Sequence, residues 1–145
     1  MRGRTIRQLF VFVLLASAFP GCGAAPVQTG EWSPHAQIKG LNLSGRWYSQ
    51  DFGDMEMTQT DKKVAGKYDH PRGPEHNGTI RGEITGDILH FEWIQPGDTT
   101  AAVFPIKGHG VFRISADGKQ LEGRWGYDDD DVGGGAWRAD KSSSD

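Results

Sequence analysis

The chain has 145 residues and a formal net charge of −3 at pH 7, with 16 Lys and Arg against 19 Asp and Glu. This length suits a single domain with its own hydrophobic core. A mildly acidic balance without a basic stripe argues against nucleic acid and anionic lipid headgroups as the main partners. One cysteine excludes an intrachain disulfide, so an exported domain must depend on its core.

The first 21 residues have the features of a secretory signal. Arg2, Arg4 and Arg7 give a basic start, and an apolar run follows over residues 9–19. This run is too short to span a bilayer as a helix, which needs roughly 20 residues. We predict that residues 1–21 are removed on export, which leaves a net charge of −6 on residues 22–145.

Cys22, the only cysteine, stands at the predicted cleavage site directly after Gly21. This arrangement resembles the lipid-attached cysteine of bacterial lipoproteins, whose processed N-terminal Cys carries acyl chains. The resemblance implies a stable anchor in the lipid bilayer of the cell envelope, in the outer membrane, because two or more acyl chains hold a protein firmly. The alternative is ordinary secretion, with cleavage near Ala24 or Ala25 and a soluble secreted or periplasmic product.

The remaining chain divides into three parts. Residues 22–40 contain Gly, Pro, Gln and Thr with little apolar periodicity, which predicts a flexible tether. Residues 41–140 carry the strand pattern described next. Residues 141–145 are polar and are predicted to be a disordered tail.

Apolar and polar residues alternate along residues 41–140, which is typical of half-buried strands. A similar phrase occurs twice, LSGRW at 43–47 and LEGRW at 121–125. The longest loop, 96–107, could hold a short extra strand at 102–106. The eight predicted strands are 43–50, 54–60, 64–68, 78–85, 88–95, 110–115, 120–127 and 136–140.

The turns between these strands predict an all-β, antiparallel up-and-down meander. Gly86-Asp87 is predicted to turn into the fifth strand, and the Asp117-Gly118 pair is a strong hairpin signal. The meander has one apolar face to bury, and closing into a small barrel buries it and removes the sheet edges. A two-sheet sandwich is the alternative. Four glycines inside the strands fall on the same alternating positions as the aromatic residues, where they would let strongly coiled strands bend. They are Gly45, Gly66, Gly82 and Gly123.

The apolar residues of one parity are predicted to face the barrel interior. An eight-stranded barrel either fills with side chains or holds one small ligand. So many large rings favour a packed core, while an open cavity would let Trp and Tyr stack on a flat or apolar ligand. The inward set is Leu43, Trp47, Val64, Tyr68, Ile80, Ile84, Leu89, Phe91, Trp93, Phe112, Ile114, Leu121, Trp125 and Trp137.

The sequence GRWYSQ at 45–50, followed by Gly-Lys-Tyr at 66–68, resembles the opening of the avidin/streptavidin group. In those eight-stranded barrels Gly-x-Trp starts strand one and Gly-x-Tyr ends strand three. The lipocalin group places a related Gly-x-Trp at the barrel floor. The resemblance implies a calycin-type barrel with Ser49 and Tyr68 as polar ligand contacts. Residues 51–53 depart from the short Ser-bearing turn of the biotin binders, and the pattern is more similar to secreted bacterial proteins of the same barrel type.

The ligand-lining candidates combine the ring residues of the inward set with the polar contacts that the resemblance implies. Trp93 and Trp125 could correspond to the ligand-facing aromatics of the biotin binders. The full set of candidates is Trp47, Ser49, Tyr68, Trp93, Phe112, Trp125 and Trp137.

The densest run of charge is Asp128, Asp129, Asp130 and Asp131, which precedes Val132 and three glycines. Four carboxylates in one loop could hold Ca²⁺, which takes about six to eight oxygen ligands. The alternating ligand spacing of an EF-hand is absent. The alternative is a solvated loop whose like charges repel.

No catalytic or cofactor motif occurs: there is no Gly-x-Ser-x-Gly, no His-Glu-x-x-His and no phosphate loop. We therefore predict a non-catalytic protein without a cofactor, anchored in the cell envelope and binding a small hydrophobic or aromatic ligand in its barrel. The alternative is a packed barrel whose loops form a protein- or glycan-interaction module. An unrecognised enzyme is a third hypothesis.

Overall fold

Residues 31–98, 100 and 102–143 are described by a computed structural model, and eight antiparallel strands dominate them. Pro74–His76 forms a single 3₁₀ turn, and none of the described residues belongs to a helix long and apolar enough to cross a bilayer. The strands are β1 (Gly45–Ser49), β2 (Gly53–Thr60), β3 (Lys63–Asp69), β4 (Gly78–Thr85), β5 (Ile88–Gln95), β6 (Ile106–Ile114), β7 (Gln120–Tyr127) and β8 (Gly135–Lys141).

Each strand pairs with the next one along the chain, and the sheet closes on itself. The closing contact joins β1 to β8 through the pairs Trp47–Lys141 and Tyr48–Asp140. The predicted all-β up-and-down barrel is therefore confirmed, and the two-sheet sandwich is wrong. A closed barrel leaves no strand edge open to other chains.

The strand boundaries differ from the prediction mainly in the longest loop. β6 begins at Ile106 rather than at residue 110, because residues 106–109 continue the pairing with β5. In place of a separate extra strand, the loop carries an isolated bridge between Asp98 and Val103.

The short hairpins follow the turn chemistry of the sequence. Gly118 has a φ of 69°, which a glycine adopts without steric cost. The Asp117 carboxylate accepts hydrogen bonds from the Ser115 hydroxyl and from the Lys119 N–H at 3.0 Å. These bonds lower the pKa of Asp117 and lock the predicted Asp-Gly turn.

The side chains that the alternation predicts to face inward fill the barrel interior. Nearly every residue of the inward set is buried; Trp125 is the exception and is only partly buried. Met55, Met57 and Ala139 complete the core, and each is about as buried as the predicted residues. The side chains of the two methionines lie on the same inward parity of β2.

Inward-facing glycines make room for the large rings. A Cβ at Gly110 would collide with the ring of Phe91, and one at Gly123 would collide with the carbonyl oxygen of Val111. Strands that approach each other this closely can coil tightly, which suits a narrow barrel. Phe91 and Phe112 stack in the space that the glycines leave, with ring centroids 4.6 Å apart.

Residues 38–43 and Trp47 form one end of the barrel, which is called the floor, and Ile38 and Leu41 pack against the core there. The Trp47 indole N–H donates a 2.8 Å hydrogen bond to the carbonyl of Leu43. Gln59 accepts the Leu43 N–H at 2.8 Å, which ties the entering chain to β2. The Lys141 ammonium lies 5.7 Å from the Trp47 ring centroid and donates to the Asn42 carbonyl.

The end of the predicted tether is bound to the barrel wall near the floor. Arg113 on β6 donates to the backbone carbonyls of Glu31 and Ser33 at 2.6 and 3.1 Å. The same guanidinium donates to Asp87 at 2.6 Å, and Asp87 accepts the backbone N–H of His35 at 2.7 Å. These five residues are called the latch. Residues 1–30, with the predicted signal and Cys22, lie outside the described residues, as do residues 144–145 of the predicted tail.

Asp87 is the buried centre of the latch. Burial alone would raise the pKa of its carboxyl group. The hydrogen bonds from His35 and Arg113 outweigh burial, so the pKa of Asp87 lies below its ordinary value. The carboxylate is therefore charged at neutral pH and holds the segment before residue 36 against β5 and β6.

Candidate ligand site at the barrel mouth

The end opposite the floor opens into a cavity of about 580 Å³, which is called the mouth. This volume is within the range of about 300–1,000 Å³ that is usual for small-molecule sites. The walls come from the β1–β2 turn, the start of the β3–β4 loop and the facing ends of β5, β6, β7 and β8. Because every second connection of an up-and-down barrel lies at the same end, these separate segments meet there.

Three aromatic rings form one wall of the mouth. Trp93 and Trp125 meet edge to face with centroids 5.6 Å apart, and Tyr127 lies 5.1 Å from Trp125. The Trp93 indole N–H is fixed by the carbonyl of Gly126 at 3.1 Å. Trp125 is only partly buried and Tyr127 is 52% exposed, so their rings offer surface to an incoming molecule.

Phe52 lies between the mouth and the packed interior. Its ring stacks on Trp137 with centroids 3.9 Å apart and an interplanar angle of 23°. It also meets the edges or faces of Tyr68, Trp125 and His70 at 5.7–6.0 Å. Phe52 lines the mouth, whereas Trp137 and Tyr68 do not.

Buried polar groups accompany these rings. Gln95 donates a 2.9 Å hydrogen bond to the Tyr68 hydroxyl, and both side chains are buried. Burial raises the pKa of Tyr68 to about 12, although the bond from Gln95 acts in the opposite direction. The phenol is therefore neutral at physiological pH. Ser49 is also buried, and its hydroxyl oxygen accepts the Phe52 N–H at 3.3 Å.

His70 adds a neutral imidazole to the mouth. Its Nδ1 accepts the N–H of Arg72 at 3.1 Å, which places the ring proton on Nε2. Burial lowers the pKa of His70, and the nearby charges of Arg72 and His76 lower it further. The mouth thus combines aromatic walls with neutral hydrogen-bonding groups, and the oppositely charged Asp51 and Arg72 also line it.

The predicted ligand-lining residues lie at three levels of the barrel. Trp93 and Trp125 line the mouth, while Ser49 and Tyr68 are buried next to Phe52. Phe112 and Trp137 belong to the packed interior, and Trp47 lies at the floor. The deep barrel is therefore filled, and the candidate site is at its end.

Sequence reasoning missed Phe52, His70, Gln95 and Tyr127 as parts of this site. Phe52 was visible only as a departure from the turn of the biotin binders, and His70 lies in a loop rich in Pro and Gly. Gln95 and Tyr127 end their strands, where the alternation gives the least guidance. Phe52 itself could have indicated the site, because a large apolar side chain in a short turn needs other side chains to shield it from water.

The acidic loop is organised by its own backbone. Asp130 accepts the N–H groups of Val132 and Gly133, both at 2.9 Å, and these bonds lower the pKa of its carboxyl group. Among the residues that the structure describes, no three His, Cys, Asp or Glu side chains are placed to share one metal ion. Calcium binding by Asp128, Asp129, Asp130 and Asp131 stays a prediction that gains no support from this geometry.

A second, larger concavity of about 840 Å³ lies outside the barrel, on the outer surface of β2 to β6. Its walls carry both bases and acids, such as Arg81, His90 and Glu92. Among the described residues, the one Phe, Tyr or Trp in its lining is Phe91, whereas three such rings form a wall of the mouth.

No protein family, curated protein or solved structure matches the chain significantly. The likeness to the avidin and lipocalin groups therefore depends on the strand motif and on the barrel architecture.

Proposed function

We propose that the protein is a non-catalytic, lipid-anchored component of the bacterial cell envelope that binds a small hydrophobic or aromatic ligand at the barrel mouth. The observation that carries this proposal is the mouth itself, where Trp93, Trp125 and Tyr127 converge on one cavity. Concave sites with apolar walls and a few polar groups are the usual form of a ligand pocket.

The chemistry of the mouth suits a neutral ligand. Edge-to-face and stacked ring contacts add about 0.5–1.5 kcal/mol to the burial of an aromatic surface. The polar groups nearby, Tyr68, Gln95 and the neutral His70, favour hydrogen bonding over ion pairing. Asp51 and Arg72 also line the mouth, and their opposite charges together favour no ligand of one sign.

The envelope location is proposed from the basic and apolar signal and from Cys22. The kinship with calycin-type barrels is proposed on the Gly-x-Trp motif of β1. Residues 23–30 separate Cys22 from the latch, and a chain of that length reaches at most about 30 Å. An acylated Cys22 would therefore keep the latch, and with it the barrel, within about that distance of the membrane surface.

A second candidate function is that of an interaction module, in which the rim of the barrel docks on a protein or glycan. The observation that favours it is a group of exposed apolar residues beside the mouth: Phe104 is 74% exposed, and Ile94 and Ile106 are 48% and 40% exposed. A filled interior is also compatible with this function. Titration with a small ligand distinguishes ligand binding at the mouth from an interaction module.

We expect the full chain to bind an environment-sensitive apolar dye saturably, at about one dye per chain. Trp125→Ala removes part of the ring wall and should weaken binding roughly tenfold, since about 1.4 kcal/mol corresponds to that factor. Tyr48→Ala is the matched control, because Tyr48 is a ring on the outer face of β1 and is 53% exposed. Binding that never saturates, or that is equal in wild type and Trp125→Ala, would count against the mouth as the site.

Cys22 is expected to carry fatty acyl chains. Cells grown with an alkyne-tagged fatty acid should incorporate the tag into the wild-type chain and not into Cys22→Ala, because the chain contains no other cysteine. A wild-type chain without the tag, recovered from the soluble fraction, would instead indicate ordinary secretion.

A further inference from the structure

Gln95 places a buried amide in the wall of the mouth. It is the last residue of β5 and only 6% of it is exposed, yet it lines the cavity. A glutamine amide has two N–H donors and a carbonyl oxygen that accepts. Burying these groups is favourable only when they find partners, so the hydrogen bonds that Gln95 already makes show which group is left for a ligand.

The nitrogen of this amide is paired and the oxygen is not. Nε2 donates to the Tyr68 hydroxyl at 2.9 Å, whereas Oε1 has no hydrogen-bond partner among the residues that the structure describes. Within the same part of the chain, the buried side-chain polar atom without a partner is the indole nitrogen of Trp137, so Oε1 is not sealed inside the protein. Because Gln95 lines the mouth, its oxygen is reached by solvent from there.

The bond to Tyr68 also fixes the direction of the amide. Tyr68 is 1% exposed, and the ring of Phe52 packs edge to face against it at 6.0 Å, so its hydroxyl is an anchored acceptor. The amide group is planar, with nitrogen and oxygen on opposite sides of its carbon. With Nε2 held by Tyr68, the carbonyl of Gln95 is directed away from Tyr68 and is preorganised to accept a hydrogen bond.

The aromatic wall of the mouth lies beside this acceptor. Trp93 and Gln95 are two residues apart on β5, so their side chains leave the same face of the strand about 6.6 Å apart. Both line the mouth, and Trp125 meets Trp93 with ring centroids 5.6 Å apart. A ring that packs on these two indoles can therefore present its edge to Oε1.

We propose that the ligand of the mouth is an aromatic molecule with an N–H or O–H group on its edge, and that Gln95 Oε1 accepts this hydrogen. This inference rests on the proposed ligand-binding function and names the ligand class and a residue that determines specificity. A hydrocarbon of the same shape would strip water from Oε1 without replacing its hydrogen bond. Sites that pair with an N–H or O–H of the ligand discriminate strongly against analogues that lack the group.

The test titrates indole and benzofuran into the purified full chain by calorimetry. The two probes have the same fused-ring shape, and only indole carries an N–H. We expect wild type to bind indole roughly tenfold more tightly than benzofuran. Gln95→Met, which keeps a side chain of the same length without the amide, should bind the two probes about equally. Tyr48→Ala, which removes an exposed ring on the outer face, should discriminate as wild type does.

A measurement on wild type keeps the test independent of whether Gln95→Met folds. Indole should shift the side-chain amide N–H resonances of Gln95 saturably, and benzofuran should shift them less. Gln95 signals that do not move with indole would overturn the inference.

The affinities separate this inference from the proposed function. Equal affinity of wild type for both probes, or the same preference for indole in wild type and Gln95→Met, would overturn the inference. The proposed function survives these results if the apolar dye still binds and Trp125→Ala weakens it. If wild type binds the dye but neither probe, this inference alone fails. If wild type binds neither the probes nor the dye, both fail.

Discussion

Trp47→Ala is expected to lower the free energy of unfolding by about 3–5 kcal/mol, the usual cost of removing a large buried ring. Trp47 is fully buried at the floor, where its N–H pairs with the Leu43 carbonyl and Lys141 covers its ring. The loss would therefore open a void and leave a carbonyl without its donor. Urea unfolding followed by circular dichroism measures the change.

Two variants separate the causes. Trp47→Phe keeps most of the ring but loses the hydrogen bond, so its cost should be smaller than that of alanine. Tyr48→Ala changes the neighbouring ring on the outer face and should alter stability by no more than about 0.5 kcal/mol. If Trp47→Ala and Tyr48→Ala cost the same, the inward parity of β1 is wrong.

Gly123→Ala is expected to destabilise the barrel by about 3 kcal/mol, towards the upper end for overpacking. The added Cβ would collide with the backbone carbonyl of Val111, and it would lie 2.9 Å from the Phe112 Cα. Backbone cannot yield as a flexible side chain can, so β6 and β7 would have to separate. The midpoint of urea unfolding should fall accordingly.

Glu122→Ala is the control for this effect. Glu122 is the exposed neighbour of Gly123 and forms only a 3.6 Å surface ion pair with Arg138, so its removal should change stability by less than about 0.5 kcal/mol. A Gly123→Ala protein as stable as wild type would mean that β6 and β7 do not approach each other closely at this point.

Much of the fold could be predicted because the strands alternate so regularly. In an antiparallel strand a shift by one residue exposes the whole apolar face, so the alternation fixes which side chains face inward. The start of β6 escaped prediction because Lys107 and His109 look like loop residues, yet their pairing with β5 extends the strand. The sequence also did not predict that Arg113 binds the segment expected to be a tether. Its partner there is a backbone carbonyl, which every residue carries.

The candidate site was harder to predict than the core. Trp93 and Trp125 were expected at a ligand site because of their parity and ring size, and both line the mouth. The alternation shows which face of a strand a ring lies on, but not its depth along the barrel axis. Trp47 and Trp137 were therefore predicted as ligand-lining residues together with Trp93 and Trp125. Phe52 lies in a turn, where the alternation of apolar and polar residues does not apply. Its ring lies between the mouth and the packed interior.

Ligand binding at the mouth can be followed through the indole N–H resonances of the chain. Five tryptophans give five such signals, and three of them report separate levels: Trp125 at the mouth, Trp137 behind Phe52 and Trp47 at the floor. On titration with a small aromatic ligand we expect the Trp125 signal to shift saturably while the Trp47 signal stays in place. Signals that all stay in place would show that the mouth does not bind the ligand, and a shift of the Trp47 signal alone would place binding at the floor.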